Sequence, residues 1–173
     1  MLVRFVLMLT LFMAPMASAN MPSEVAKAMP NAAPLGSATT RILGFALYEA
    51  ELFTPNGSAF SMAQPFALTL TYKRTFRGGK LAEATVDEIA RIEGIDASAL
   101  DGLLAEFEAC FRDVAPGDRV MGYGPSADRV DIYVRGARTC QINDSGIRQR
   151  FFNIWLSDAS RDPDGARQLR GQG

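Results

Sequence analysis

The chain contains no histidine. That absence removes the commonest general base, the commonest metal ligand and every Ser-His or Cys-His nucleophile pairing. Any catalysis would have to run on Arg, Lys, Tyr, Thr, Asp or Glu. Cysteine is scarce: Cys110 and Cys140 are the only two, too few for a zinc site and without the C-x-x-C spacing of a redox-active pair. Neither sign of charge is in excess, with 18 basic residues against 19 acidic ones. They are scattered along the chain, which argues against nucleic acid or an anionic membrane surface as the main partner. Internal repeats and low-complexity tracts are missing, and beyond the N-terminus no run is long and apolar enough to cross a bilayer.

What is present begins with a signal. Arg4 precedes an apolar stretch over residues 5–13 interrupted only by Thr10, followed by Pro15 and the small-residue triplet Ala17, Ser18, Ala19. These are the parts of a secretory signal peptide over residues 1–19, cleaved after Ala19; the apolar run falls short of the roughly 20 residues a membrane anchor needs. The expectation is a periplasmic or secreted protein. Residues 20–35, with Pro22, Pro30 and Pro34, read as a leader, and residues 36–173 as one ordinary domain able to bury its own core. In an oxidising compartment Cys110 and Cys140 are expected to form a structural disulfide linking a helix end to a strand, the alternative being two small buried thiols.

Within the domain, the run GSATTRILGFALYEAELFTP over residues 36–55 has apolar residues on both alternating faces. That pattern predicts a strand inside a covered sheet, bent or bulged at Gly44 and stopped by Pro55-Asn56-Gly57. Residues 66–72 alternate as a strand with one covered face. A helix is predicted over residues 80–92, with Leu81, Ile89 and Ile92 inward. Another follows over residues 97–112, capped by Asp96 or Ser98, with Leu100, Leu103, Leu104, Phe107 and Phe111 as a core stripe. Residues 119–123, 129–134 and 138–142 read as an antiparallel meander. A third helix is predicted after Asn143-Asp144, with Asp144 as N-cap and Ile147, Phe151, Ile154 and Trp155 inward, and a short terminal helix over residues 163–170. The fold class that results is α+β, helices layered on a largely antiparallel sheet.

Taken in order, GSATTRILGFALYEAELFTP, FALTLTYKRTFRGGKLAEATVDEI, VAPGDRV and QINDSGIRQRFFNIWLSD resemble the bacterial chalcone isomerase-like family over residues 34–170. The resemblance implies an open-faced β-sandwich, a large antiparallel sheet covered by helices with a ligand cleft between them. In the plant enzymes of this fold an arginine holds a phenolate while threonine and tyrosine hydroxyls polarise a ketone, chemistry that needs no histidine. The resemblance puts the family's ligand-facing arginine at Thr40, with Arg41 one residue later and so on the opposite face of a regular strand. The plant threonine falls near Leu43 and their late-helix hydroxyl residue near Phe152.

Thr40, Arg41 and Tyr48 are therefore the candidate ligand-binding residues, and Arg41 and Tyr48 the catalytic candidates if the chain is an enzyme. Arg41 is either a guanidinium for an anionic head group or a surface arginine at a sheet end. Tyr48 stands among Gly44, Ala46 and Ala50, small residues that signal close helix approach or room for a ligand. Tyr72, Lys73 and Arg74 read as a solvated strand end. The Gly122-Tyr123-Gly124 segment lacks a nucleotide motif, and Asp128, Asp131 and Asp144 lack calcium-loop spacing. The expectation is an exported, non-catalytic protein holding a small amphiphile, a fatty acid or phenolic compound, with neither metal nor cofactor. The alternatives are an intramolecular lyase or isomerase of chalcone isomerase type and an envelope interaction protein without a small ligand.

Overall fold

The computed structural model describes residues 21–173, so the signal peptide expected over residues 1–19 lies outside the described residues. Six strands succeed one another in space as they do in sequence: β1 (Ala32–Ile42), β2 (Phe45–Pro55), β3 (Phe66–Tyr72), β4 (Arg119–Ser126), β5 (Arg129–Val134) and β6 (Ala137–Asn143). Every neighbouring pair is antiparallel. Such a meander needs only short reversals, and two of them are tight turns with positive φ: Leu43 (49°) and Gly44 (82°), then Arg135 (50°) and Gly136 (81°). Two consecutive positive φ angles match the right-handed twist of the strands they join.

This corrects the reading of residues 36–55 as one bent, covered strand. The segment is most of a hairpin, and Gly44 is a turn residue rather than a bulge. Its tip is open, with Leu43 92 %, Phe45 59 % and Ile42 56 % exposed, and β1 is an edge of the sheet. The irregularity lies below the turn. Thr40 pairs with Tyr48 but Arg41 pairs with Ala46, so Leu47 is an extra residue on β2. Residues 21–35, expected as a leader, contribute a short helix α1 (Ser23–Ala28) and the first residues of β1.

Alternation along the strands divides the sheet into two unequal faces. On the outer face Val25 and Met29, in and just after α1, pack on Phe53, Ala67 and Met121. On the inner face Leu52, Phe66, Leu68, Leu70, Ile132 and Ile142 meet four helices: α2 (Gly78–Glu93), α3 (Asp101–Cys110), α4 (Ile147–Leu156) and α5 (Pro163–Leu169). The stripe of α2 is Ala82, Val86 and Ile89, rotated from the expected Leu81, Ile89 and Ile92; Leu81 is only half-buried. Asp96 caps a 3₁₀ turn ahead of α3 by accepting the Ser98 N–H. Asp144 does not cap α4: Gly146 holds that place at φ 67°, and the Asp144 carboxylate accepts from the Ser145 N–H and from Arg150.

Two close contacts lock the layers together. Cys110 and Cys140 are joined in a disulfide, Cα to Cα 5.3 Å, which fastens the end of α3 to β6 as expected. At Gly36 an added Cβ would stand 2.1 Å from the Gln168 carbonyl oxygen. Only glycine lets the last turn of α5 lie directly on β1.

Candidate functional site

The inner face is filled unevenly. Over β3 to β6 it is packed with rings: Phe152 lies 4.7 Å from Phe66 and 4.9 Å from Phe151, and Phe107 lies 5.5 Å from Phe151. Over β1 to β3 the roof is α5, whose Gly165 and Ala166 carry little or no side chain, and the side of α2 that carries Leu81, Thr85 and Glu88, while Gly122, Phe151 and Phe152 of the ring cluster form the far wall. The space left is a cavity of about 520 Å³ with mostly apolar walls, within the range of roughly 300–1,000 Å³ usual for small-molecule sites.

Three hydroxyls form a row across its floor, since Thr40 pairs with Tyr48 and Tyr48 with Tyr72 on adjacent strands. The Trp155 indole N–H from α4 donates to the Tyr48 hydroxyl at 3.0 Å, leaving the phenol's own proton free to be donated. The Tyr48 and Tyr72 rings meet edge-on at 5.8 Å, and Tyr72 meets Phe76 at 5.6 Å. Burial raises the Tyr48 phenol above its usual value; hydrogen bonds with Thr40 and Trp155 pull it partly back, while the charges of Asp162 and Glu88 push it up. Burial raises Tyr72 further, and no described residue hydrogen-bonds its hydroxyl. Both phenols are therefore neutral donors at any ordinary pH.

Charges gather at the rim. Arg41, at the exposed end of β1, lines the mouth and has no ion pair among the described residues. Thr40 and Arg41 both reach the cavity although they are consecutive, and so do Leu47 and Tyr48; the extra residue at Leu47 breaks the alternation that would have sent one of each pair to the far face. Across the mouth, Glu88 on α2 binds Arg91 at 2.5 Å and Arg161 at 2.7 Å. Its burial would raise the carboxyl, but the two guanidinium bonds outweigh that and hold it below the usual carboxylate range. Asp162 is occupied as the cap of α5, accepting the Gly165 N–H at 2.9 Å. Both rim carboxylates are thus already engaged and poorly placed to take a proton from a substrate.

The candidates Thr40, Arg41 and Tyr48 are accordingly brought together at one cavity. Sequence reasoning missed Tyr72 and Trp155 as lining residues, and Glu88, Arg161 and all of α5 as its frame. Tyr72 was legible, because it continues the covered face of Phe66, Leu68 and Leu70; it is buried, and only Lys73 and Arg74 beyond it are solvated. Lys73 pairs with Glu49 at 2.8 Å. Among the described residues no cluster of acidic or cysteine side chains is arranged to hold a metal ion.

An antiparallel sheet whose helix-covered face encloses an apolar cavity defines the class, an open-faced β-sandwich with an internal cavity. The chain belongs to the chalcone isomerase-like family, whose sequence pattern it matches over residues 35–167. Among solved structures it is similar to a fatty-acid binding protein of Arabidopsis thaliana, with a TM-score of 0.66 at 10 % identity, covering 83 % of this chain and 90 % of that one. At that identity the likeness establishes the fold. Comparison with curated proteins by sequence finds no significant match.

Proposed function

We propose that this chain is a non-catalytic binding protein for a small amphiphile with an anionic head, of which a long-chain fatty acid is the best-fitting class. The observation that carries the proposal is the pairing of an apolar cavity of about 520 Å³ with proton donors at one end: the Tyr48 and Tyr72 hydroxyls inside and the Arg41 guanidinium at the mouth. Neutral phenols and a cation suit a carboxylate acceptor, and the apolar walls suit its chain. The fatty-acid binding protein of similar fold supports the same class of ligand. An intramolecular lyase is less favoured because Arg41 is solvent-exposed, and a hydrated cation does little for a developing charge. Native mass spectrometry of the purified protein is expected to show a co-purifying amphiphile. Conversion of a chalcone to a flavanone, abolished in Arg41→Ala, would overturn the non-catalytic assignment.

We also propose that the protein is exported to the periplasm or secreted, with residues 1–19 removed. The signal-like N-terminus and the Cys110–Cys140 disulfide support the same oxidising compartment. N-terminal sequencing of the protein from the producing cell's envelope fraction is expected to begin at Asn20. Recovery only from the cytoplasm, with the N-terminus intact, would contradict it.

A further inference from the structure

The β1–β2 hairpin ends in an apolar tip that stands outside the core. Ile42, Leu43 and Phe45 are large, apolar and 56 %, 92 % and 59 % exposed. Three such side chains at and beside a two-residue turn are costly to leave in water, and they stand where Arg41 and Ile42 also line the cavity mouth. Behind them is a cationic collar. The Arg74 guanidinium lies 4.6 Å from the centre of the Phe45 ring, and the Lys73 N–H donates to the Leu47 carbonyl, holding this strand end against the base of the tip. Arg41 and Arg74 are exposed and have no carboxylate partner among the described residues. The acidic groups beside them are already paired, Glu49 with Lys73 and Glu83 with Lys80.

We infer that this hairpin tip is a membrane-docking finger, which seats the cavity mouth on an anionic lipid surface so that the amphiphile passes between bilayer and cavity. The inference rests on the amphiphile-binding reading above. An apolar prow backed by arginines is the arrangement that enters the interfacial layer of a bilayer. Ile42 pairs with Phe45, so insertion leaves few backbone groups without partners. A second protein is the poorer occupant, because a stable interface needs roughly 800 Å² from each side and three side chains on a thin turn cannot supply it. The near-neutral charge of the whole chain, −1, does not oppose this, since attraction at a lipid surface acts over about one Debye length and is local to the tip.

The test attaches an environment-sensitive NBD fluorophore to the full chain through Leu43→Cys and, as a control at the far end of the sheet, through Ser58→Cys. Vesicles of phosphatidylglycerol mixed with phosphatidylcholine are expected to shift the emission of the Leu43 label to the blue and leave the Ser58 label unchanged, whatever the N-terminal residues do. Leu43→Asp with Phe45→Asp should weaken vesicle binding about tenfold or more, and Arg74→Glu about fivefold or more, for vesicles containing phosphatidylglycerol only. Binding of a fluorescent fatty acid without vesicles should be unchanged in the Leu43→Asp, Phe45→Asp variant, whose altered residues do not line the cavity. Equal shifts at both labels, or no shift at Leu43, would overturn the docking inference while leaving the cavity assignment standing. A blue shift that grows with protein concentration in the absence of vesicles would overturn it in favour of a second copy. Loss of fatty-acid binding in the unaltered chain would instead remove the reading on which it rests.

Discussion

The two halves of the helix-covered face are built from the same kinds of residue and do opposite things. Over β4, an added Cβ at Gly122 would stand 2.9 Å from the Phe151 ring and 3.1 Å from that of Phe152, so the sheet has been pared down to let α4 settle onto it. Over β1 and β2 the small residues are on the helix instead, Gly165 and Ala166 of α5, which line the cavity together with Tyr48 and Tyr72, and the Phe151 and Phe152 rings form the wall between the two halves. Small residues on a sheet beneath large rings give a closed core, whereas small residues on a helix above polar-tipped rings give a compartment. The difference leaves the first half close-packed up to the cavity wall and the second half hollow.

The largest effect should come from breaking the closed half. Phe107→Ala removes a fully buried ring that does not line the cavity and is expected to cost about 3–5 kcal/mol in urea unfolding, while Tyr48→Phe, which removes one hydroxyl at the cavity, should cost no more than about 1.5 kcal/mol. Similar costs at the two sites would erase the distinction between the halves. Next in size is the crosslink on the closed side: Cys140→Ser is expected to lower stability by about 3 to 4 kcal/mol through loop entropy. Thiol labelling of the unfolded, unreduced protein should find neither cysteine reactive.

Smaller effects sharpen the open half. Glu88→Gln leaves Arg91 and Arg161 without their anion and should cost about 1–3 kcal/mol near neutral pH. Because the Glu88 carboxyl is held below its usual value, its contribution is full above the unfolded carboxylate range and is lost as pH falls through the lowered value. The variant should therefore lose less stability than the parent on acidification. At the other end of the scale, all four tyrosines are raised, Tyr48 and Tyr72 by burial in the cavity and Tyr123 and Tyr133 by burial on the outer face. A raised phenol stabilises the fold fully below its unfolded pKa of about 10 and ceases to do so as pH climbs through the folded value. Tyrosinate absorbance should thus appear late and together with unfolding; ionisation of Tyr48 at its ordinary pH in the folded protein would mean the cavity is open to water.

The closed half was the more legible in sequence. The stripe of Leu100, Leu103 and Phe107 and the helical spacing of Ile147 and Phe151 are local patterns, and local patterns are what periodicity reads. The hairpin was not legible, because its tip is apolar where turns are ordinarily polar and because Leu43 adopts a positive φ that its side chain gives no hint of. Arg41 was singled out, but its access to the cavity depends on the extra residue at Leu47, which exists only in the pairing of two strands. The Glu88–Arg161 bridge spans 73 positions and leaves no trace in either neighbourhood. Pairing and long-range closure, rather than residue type, were the missing information.

The central claim is that the open half takes up an amphiphile. Calorimetric titration of the purified protein with a long-chain fatty acid, repeated at several temperatures, tests it most directly. The account predicts saturation at one ligand per chain, with a binding heat that grows more exothermic on warming, the mark of apolar surface leaving water. Absence of saturable binding, or a heat that does not change with temperature, would contradict it.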